Sequence, residues 1–180
     1  MAQGTTRKRV LHAAGRVVLQ AGVRGLTLEA VAREAGVSKG GLLYHFASKD
    51  ELLTGMVGEF VELIEGRMTD AMQADDAPGQ WSRAYLNAST VDHAGDDPMN
   101  RLATAMLAAG ASDTALLQPL YARQSDWQHK QRTDGIDPAT AAVVRLAADG
   151  LWMNDLFGIQ VVSDEEREAV IRRLRDMTRA

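Results

Sequence analysis

The segment GVSKGGLLYHFASKDELL, residues 36–53, concentrates side chains that can bind a polyanion. Lys39 can donate to the guanine acceptors of a DNA major groove, and Leu43 offers an apolar surface to a thymine methyl. Tyr44, His45 and Lys49 can donate to phosphates. Gly40 and Gly41 cost roughly 1 kcal/mol each in a helix relative to Ala. That loss makes sense where a helix N-terminus must approach a phosphate backbone or base edge closely.

Other chemistries find less support. The four histidines, His12, His45, His93 and His129, show no His-x-x-x-His spacing and no partner carboxylate at a catalytic interval. There is no Gly-x-Ser-x-Gly, phosphate loop or dinucleotide fingerprint. With no cysteine there is neither a disulfide framework nor a thiolate metal site. His93 lies beside Asp92, and HAGDD, residues 93–97, reads as a metal loop or as a solvated turn between helices. The expectation is no enzyme, no cofactor and no bound metal.

The chain has 180 residues, 46% hydrophobic and 24% charged, a globular composition. No stretch reaches the roughly 20 apolar residues of a membrane span. The amphipathic N-terminus does not read as a signal peptide. A cytoplasmic protein without membrane partners is the simplest reading. The net charge of −4 hides an asymmetry. Residues 1–50 hold eight Lys/Arg against three acids, a net of +5; residues 51–180 hold twelve against twenty-one, a net of −9. A basic head on an acidic body suits a polyanion-binding function, or is chance clustering.

Helical periodicity dominates, and no run alternates convincingly as a strand would. The pattern predicts an all-α protein of about nine helices, over residues 6–21, 28–35, 39–46, 49–73, 80–91, 99–109, 114–133, 138–157 and 163–177. Thr27, Ser38, Ser48 and Ser163 are cap candidates, Pro138 opens a helix, and Gly36 closes one. The fourth helix carries Leu52, Leu53, Met56, Val57, Phe60, Val61, Ile64, Met68 and Met72 as one apolar stripe. The second and third helices are two turns each and are joined by Gly36-Val37-Ser38, the spacing of a helix-turn-helix. In such a unit the second helix enters the major groove. The alternative is an ordinary small helical hairpin.

The stretch TLEAVAREAGVSKGGLLYHFASKDELL, residues 27–53, resembles the DNA-binding segment of the tetracycline-repressor (TetR) family of bacterial regulators. The resemblance covers about residues 6–60; beyond that only helix count, length and order match. It implies a helix-turn-helix head at 1–48 and a ligand-binding and dimerisation body at 49–180. Carried over by position, it implies base contacts from Lys39 and Leu43 and phosphate contacts from Thr27, Ser38, Gly41, Tyr44, His45 and Lys49, with Gly40 beside them. Many members have a tyrosine where this chain has Leu43, so base recognition there should be apolar or weaker. Arg7, Lys8 and Arg9, placed ahead of the first helix, read as further DNA contacts or as a solvated arm.

The resemblance further implies a homodimer reading a palindromic double-stranded operator, and a small-molecule effector, apolar or aromatic and in one variant cationic, that releases a repressor from it. The candidate effector residues are Phe60, Met68, Tyr85, Met106, Tyr121, Trp127, Asp149, Trp152, Met153, Asn154, Asp155 and Phe157. The competing reading of each is plain core. The candidate dimer residues are Ala141, Val144, Ala148, Leu151, Val170, Ile171 and Leu174, which could equally build an intramolecular core. A helical scaffold that binds only protein, with a vestigial head, is the competing function.

Overall fold

A computed structural model describes residues 2–74, 76–90, 102, 103, 105, 107, 110, 111 and 113–179, with side chains from Thr5 onward. Among them lie eight continuous α-helices and no strand: α1 (Ala2–Ala21), α2 (Leu28–Ala35), α3 (Lys39–Leu43), α4 (Lys49–Met72), α5 (Gln80–Thr90), α6 (Gln118–Arg132), α7 (Pro138–Phe157) and α8 (Asp164–Met177). Short 3-10 turns occupy Val23–Gly25 and Thr114–Leu117. Most of the helix expected at 99–109 lies outside the described residues; Leu102, Ala103, Ala105, Leu107, Gly110 and Ala111 are helical.

The chain packs as two units, Met1–Glu62 with Gly95–Ala122, and Leu63–Ala94 with Arg123–Ala180. The boundary falls within the continuous helix α4.

In the first unit α1 packs on α2 and α2 on α3. Leu11, Leu26, Val31, Leu42, Leu52 and Met56 are fully buried there. The Thr27 hydroxyl accepts from Ala30 N–H at 3.1 Å, satisfying one of the orphan donors that open α2. Gly36 closes α2 at φ 63°, a left-handed conformation that favours glycine. Ser48 accepts from Glu51 N–H, and the Glu51 carboxylate accepts from Ala47 N–H at 2.8 Å, so α4 starts sharply. A Cβ on Gly55 would come within 2.6 Å of the Phe46 ring, so a glycine is needed for α4 to seat against it.

Two boundaries differ from expectation. α1 starts at Ala2, so Arg7, Lys8 and Arg9 lie within the helix and not ahead of it. Lys8 Nζ sits 3.3 Å from both Glu59 and Glu62, and the Arg7 guanidinium lies 5.1 Å over the Phe46 ring. α3 ends at Leu43 because its last turn tightens: His45 N–H donates to Leu42 C=O, three residues back.

In the second unit α5 packs on α7 and α8. Asp134, beyond the end of α6, caps α5 from 53 residues away; its carboxylate accepts from Trp81 N–H at 2.7 Å and Ser82 N–H at 2.9 Å. The buried Arg83 guanidinium donates to the carbonyls of Ala77, Pro78 and Thr178, which ties the C-terminal end of the chain to the start of α5. Ser163 and Glu166 form a reciprocal capping box at the start of α8.

Candidate DNA-reading face and ligand cleft

The reading face is built from α3 outward. Leu42 is 0% and Phe46 3% exposed, so this side of the helix is sealed against its own unit. Leu43 and Tyr44 point the other way, at 38% and 73% exposure. The Ser38 hydroxyl accepts from Gly41 N–H at 3.0 Å and fixes the N-terminus of α3. A Cβ on Gly40 would meet nothing within 4 Å. The protein's own packing therefore does not require glycine there.

The basic side chains are already engaged. Lys39 Nζ lies 2.5 Å from a Glu29 carboxylate oxygen, and both groups are more than half exposed. The Lys39 hydrogen bond holds the Glu29 carboxyl below its ordinary range. Lys49 Nζ donates to Val23 C=O at 3.1 Å, which makes it a brace between the 3-10 turn and the start of α4. The Tyr44 and His45 rings meet edge-on, 5.2 Å apart.

The second unit holds an aromatic cluster. Trp81 stacks on Tyr85 with centroids 5.3 Å apart, and Trp127 meets Tyr85 edge-on at 6.0 Å. The Tyr85 hydroxyl donates to Asp149 Oδ1 at 2.6 Å. Burial, with the adjacent Asp149 charge, pushes the Tyr85 phenol well above its ordinary range. Burial also raises the Asp149 carboxyl, against the opposing effects of the Tyr85 hydrogen bond and the Arg145 charge. Trp127 Nε1–H donates to Glu65 at 3.0 Å. A cavity of about 190 Å³ adjoins the cluster, lined in part by Glu65, Met68, Met72, Trp81, Asp126 and Trp127.

Of the expected effector residues, the fold brings together Met68, Tyr85, Trp127 and Asp149. The others are elsewhere. Phe60 is buried and Tyr121 exposed, both in the first unit. Met153 and Phe157 are exposed. Asp155 pairs with Arg167 at 2.5 Å, and the Asn154 and Asp155 carbonyls accept the cap bonds that end α7. Trp152 is buried on the inner face of α7. Met106 lies outside the described residues. Sequence reasoning missed Trp81, Glu65 and Arg145. The available signal was spacing, since Trp81 and Arg145 precede Tyr85 and Asp149 by one helical turn each.

Of the expected dimer residues, four take the alternative role of intramolecular core. Ala141, Val144 and Ala148 are almost fully buried within their own unit, as is Leu174. Their small side chains let α5 approach α7 closely, which consumes this face internally. Leu151 and Ile171 are half-buried, and Val170 is exposed. The free apolar face of α7 is the opposite one: Val143, Leu146, Met153 and Phe157, at 50%, 70%, 36% and 57% exposure. Gly150 lies on that same stripe, with nothing within 4 Å of a Cβ built there.

Known proteins match along most of the chain. The sequence pattern described as "Bacterial regulatory proteins, tetR family" matches residues 10–56, and "Tetracyclin repressor-like, C-terminal domain" matches residues 79–179. The chain belongs to the TetR family. It is a transcriptional regulator of the helix-turn-helix type and not an enzyme. The regulator LmrA of Bacillus subtilis is 31% identical over 113 residues, a match spanning 62% of this chain and 60% of LmrA. The regulator BetI of Pseudomonas aeruginosa is 27% identical over 84% of this chain and 81% of its own. A TetR-family regulator from Rhodococcus sp. shares the fold at a TM-score of 0.75, with 22% identity, over 98% of this chain and 100% of that one. The multidrug binding protein EbrR, solved with ethidium, superposes at a TM-score of 0.64, with 28% identity, over 94% of this chain and 98% of EbrR. Among the described residues of this TetR-family regulator, no helix is long and apolar enough to cross a membrane.

Proposed function

We propose that this regulator is a cytoplasmic homodimeric repressor whose head, residues 1–48, reads a palindromic operator, and whose body, residues 49–180, binds an aromatic, cation-bearing effector that releases it. The observation that carries the reading is the two-sided α3, with Leu42 sealed inside and Leu43, Tyr44 and the Gly40 backbone outside on a basic head. Lys39 and Leu43 read bases; Thr27, Ser38, Gly41, Tyr44, His45 and Lys49 face phosphates. One α3 spans too few bases for a specific site, so two heads one helical turn apart are needed.

The exposed α7 stripe Val143-Leu146-Gly150-Met153-Phe157, with Val170 also exposed on α8, supports the dimer. The cleft beside Trp81, Tyr85 and Trp127 supports an aromatic effector. EbrR with ethidium supports the same ligand class. Met68 and Met72 of α4 line that cleft, and α4 begins at Lys49, next in sequence to the head. Ligand-driven displacement of α4 would change the spacing of two heads, provided that the ligand prefers the DNA-incompetent state.

The test is a mobility-shift assay on the DNA upstream of the regulator's own gene, at two salt concentrations, with wild type and with Lys39→Ala/Tyr44→Ala. Steeply salt-dependent binding by wild type and loss in the variant are expected. Equal, weak binding by both would favour the protein-binding scaffold.

A further inference from the structure

The ring cluster of the second unit already contains a cation. The Arg145 guanidinium lies 5.3 Å from the Tyr85 centroid, 5.6 Å from that of Trp127 and 6.0 Å from that of Trp81. All three distances are within the range at which ring faces attract a cation. The guanidinium donates to two neutral amide oxygens, Gln124 Oε1 at 2.9 Å and Gln131 Oε1 at 3.3 Å, and it also interacts with the Tyr85 hydroxyl and the Asp149 charge. A delocalised cation on a long flexible stem is thus held by three aromatic rings and neutral acceptors beside the Asp149 carboxylate, and it is only half-buried.

We propose that Arg145 is the resident occupant of a cation seat formed by Trp81, Tyr85 and Trp127, and that a lipophilic cation binds this regulator by displacing its guanidinium. The inference rests on the reading of the second unit as effector-binding. Three physical points carry it. Exchanging one cation for another leaves the charge beside Asp149 and Glu65 unchanged, whereas a neutral ligand would remove the compensating charge. The adjoining cavity of about 190 Å³ is smaller than the roughly 300–1,000 Å³ of most small-molecule sites, and withdrawing the arginine enlarges it. Arg145 starts on α7 and its two amide acceptors lie on α6. Expulsion therefore breaks two hydrogen bonds between α6 and α7 at once. Arg145 is then an internal competitor that sets the affinity threshold for the effector.

The experiment titrates the full-length protein, without DNA, with tetraphenylphosphonium and with the neutral triphenylphosphine oxide, following tryptophan fluorescence. The proteins are wild type, Arg145→Ala and the double variant Gln124→Ala/Gln131→Ala, which loosens the tether without touching the rings. Both variants should bind the cation more tightly, Arg145→Ala by about tenfold, and wild type should bind the cation at least about tenfold more tightly than the neutral compound. Unchanged or weaker cation binding in Arg145→Ala, equal affinity of wild type for the two compounds, or no binding by any protein would overturn the proposal. Tight cation binding that leaves an operator complex undisturbed would remove the effector reading and keep the seat.

Discussion

Lys39 Nζ and the Glu29 carboxylate lie 2.5 Å apart, so the lysine at the start of the reading helix is already paired with an acid from the preceding helix. The pair is solvent-exposed and contributes little to stability. In the proposed operator complex, DNA takes the lysine from it. Glu29→Gln should leave the melting temperature unchanged and raise operator affinity by up to about fivefold, with the larger gain at low salt. Fluorescence anisotropy on a labelled operator measures this; weaker binding would show that Glu29 positions Lys39 productively.

Adjacent leucines on α3 should behave oppositely. Leu42 is fully buried, so Leu42→Ala should cost about 2–5 kcal/mol by urea unfolding. Leu43 faces outward, so Leu43→Tyr should fold normally and change base preference at one position of each half-site. Selection from a randomised operator library reads the second effect, and an unchanged preference would remove Leu43 from the contact set.

In the proposed dimer, the two faces of α7 separate packing from assembly. Leu146→Glu should shift the protein towards monomer in sedimentation, because it places a charge in the exposed apolar stripe. Val144→Ala, on the inner face, should lower stability by about 1–3 kcal/mol without dissociating the dimer. A dimer unaffected by Leu146→Glu would move the interface away from α7.

Asp149 gives a pH signature. Burial raises its carboxyl above the ordinary value of 3.8, so the folded chain holds that proton more tightly than the unfolded chain. The resulting stabilisation is present at low pH and is lost as pH rises from 3.8 through the raised value. Asp149→Asn retains an acceptor for the Tyr85 hydroxyl and removes the titration. Unfolding free energy of wild type relative to Asp149→Asn should therefore fall as pH rises from 3.8. A difference that is flat or rises with pH would show that the hydrogen bond and Arg145 outweigh burial.

Much of this molecule follows from local rules acting within one or two turns. Thr27, Gly36, Ser38, Ser48, Pro138 and Ser163 fall at helix ends where their backbone chemistry places them, and those ends match the sequence reading closely. The same holds for the α4 stripe, buried from Leu52 to Met68, and for the opposed faces of Leu42 and Leu43. Periodicity of 3.6 residues decides such matters without reference to distant residues. It cannot say which of two apolar faces a helix buries internally. On α7 the face of Ala141, Val144 and Ala148 meets α5, and the stripe of Leu146 and Phe157 stays outside, a choice made by packing between segments far apart in sequence. The Asp134 cap on α5 and the convergence of Arg145 on Trp81, Tyr85 and Trp127 have the same origin, since each joins residues that no local spacing relates.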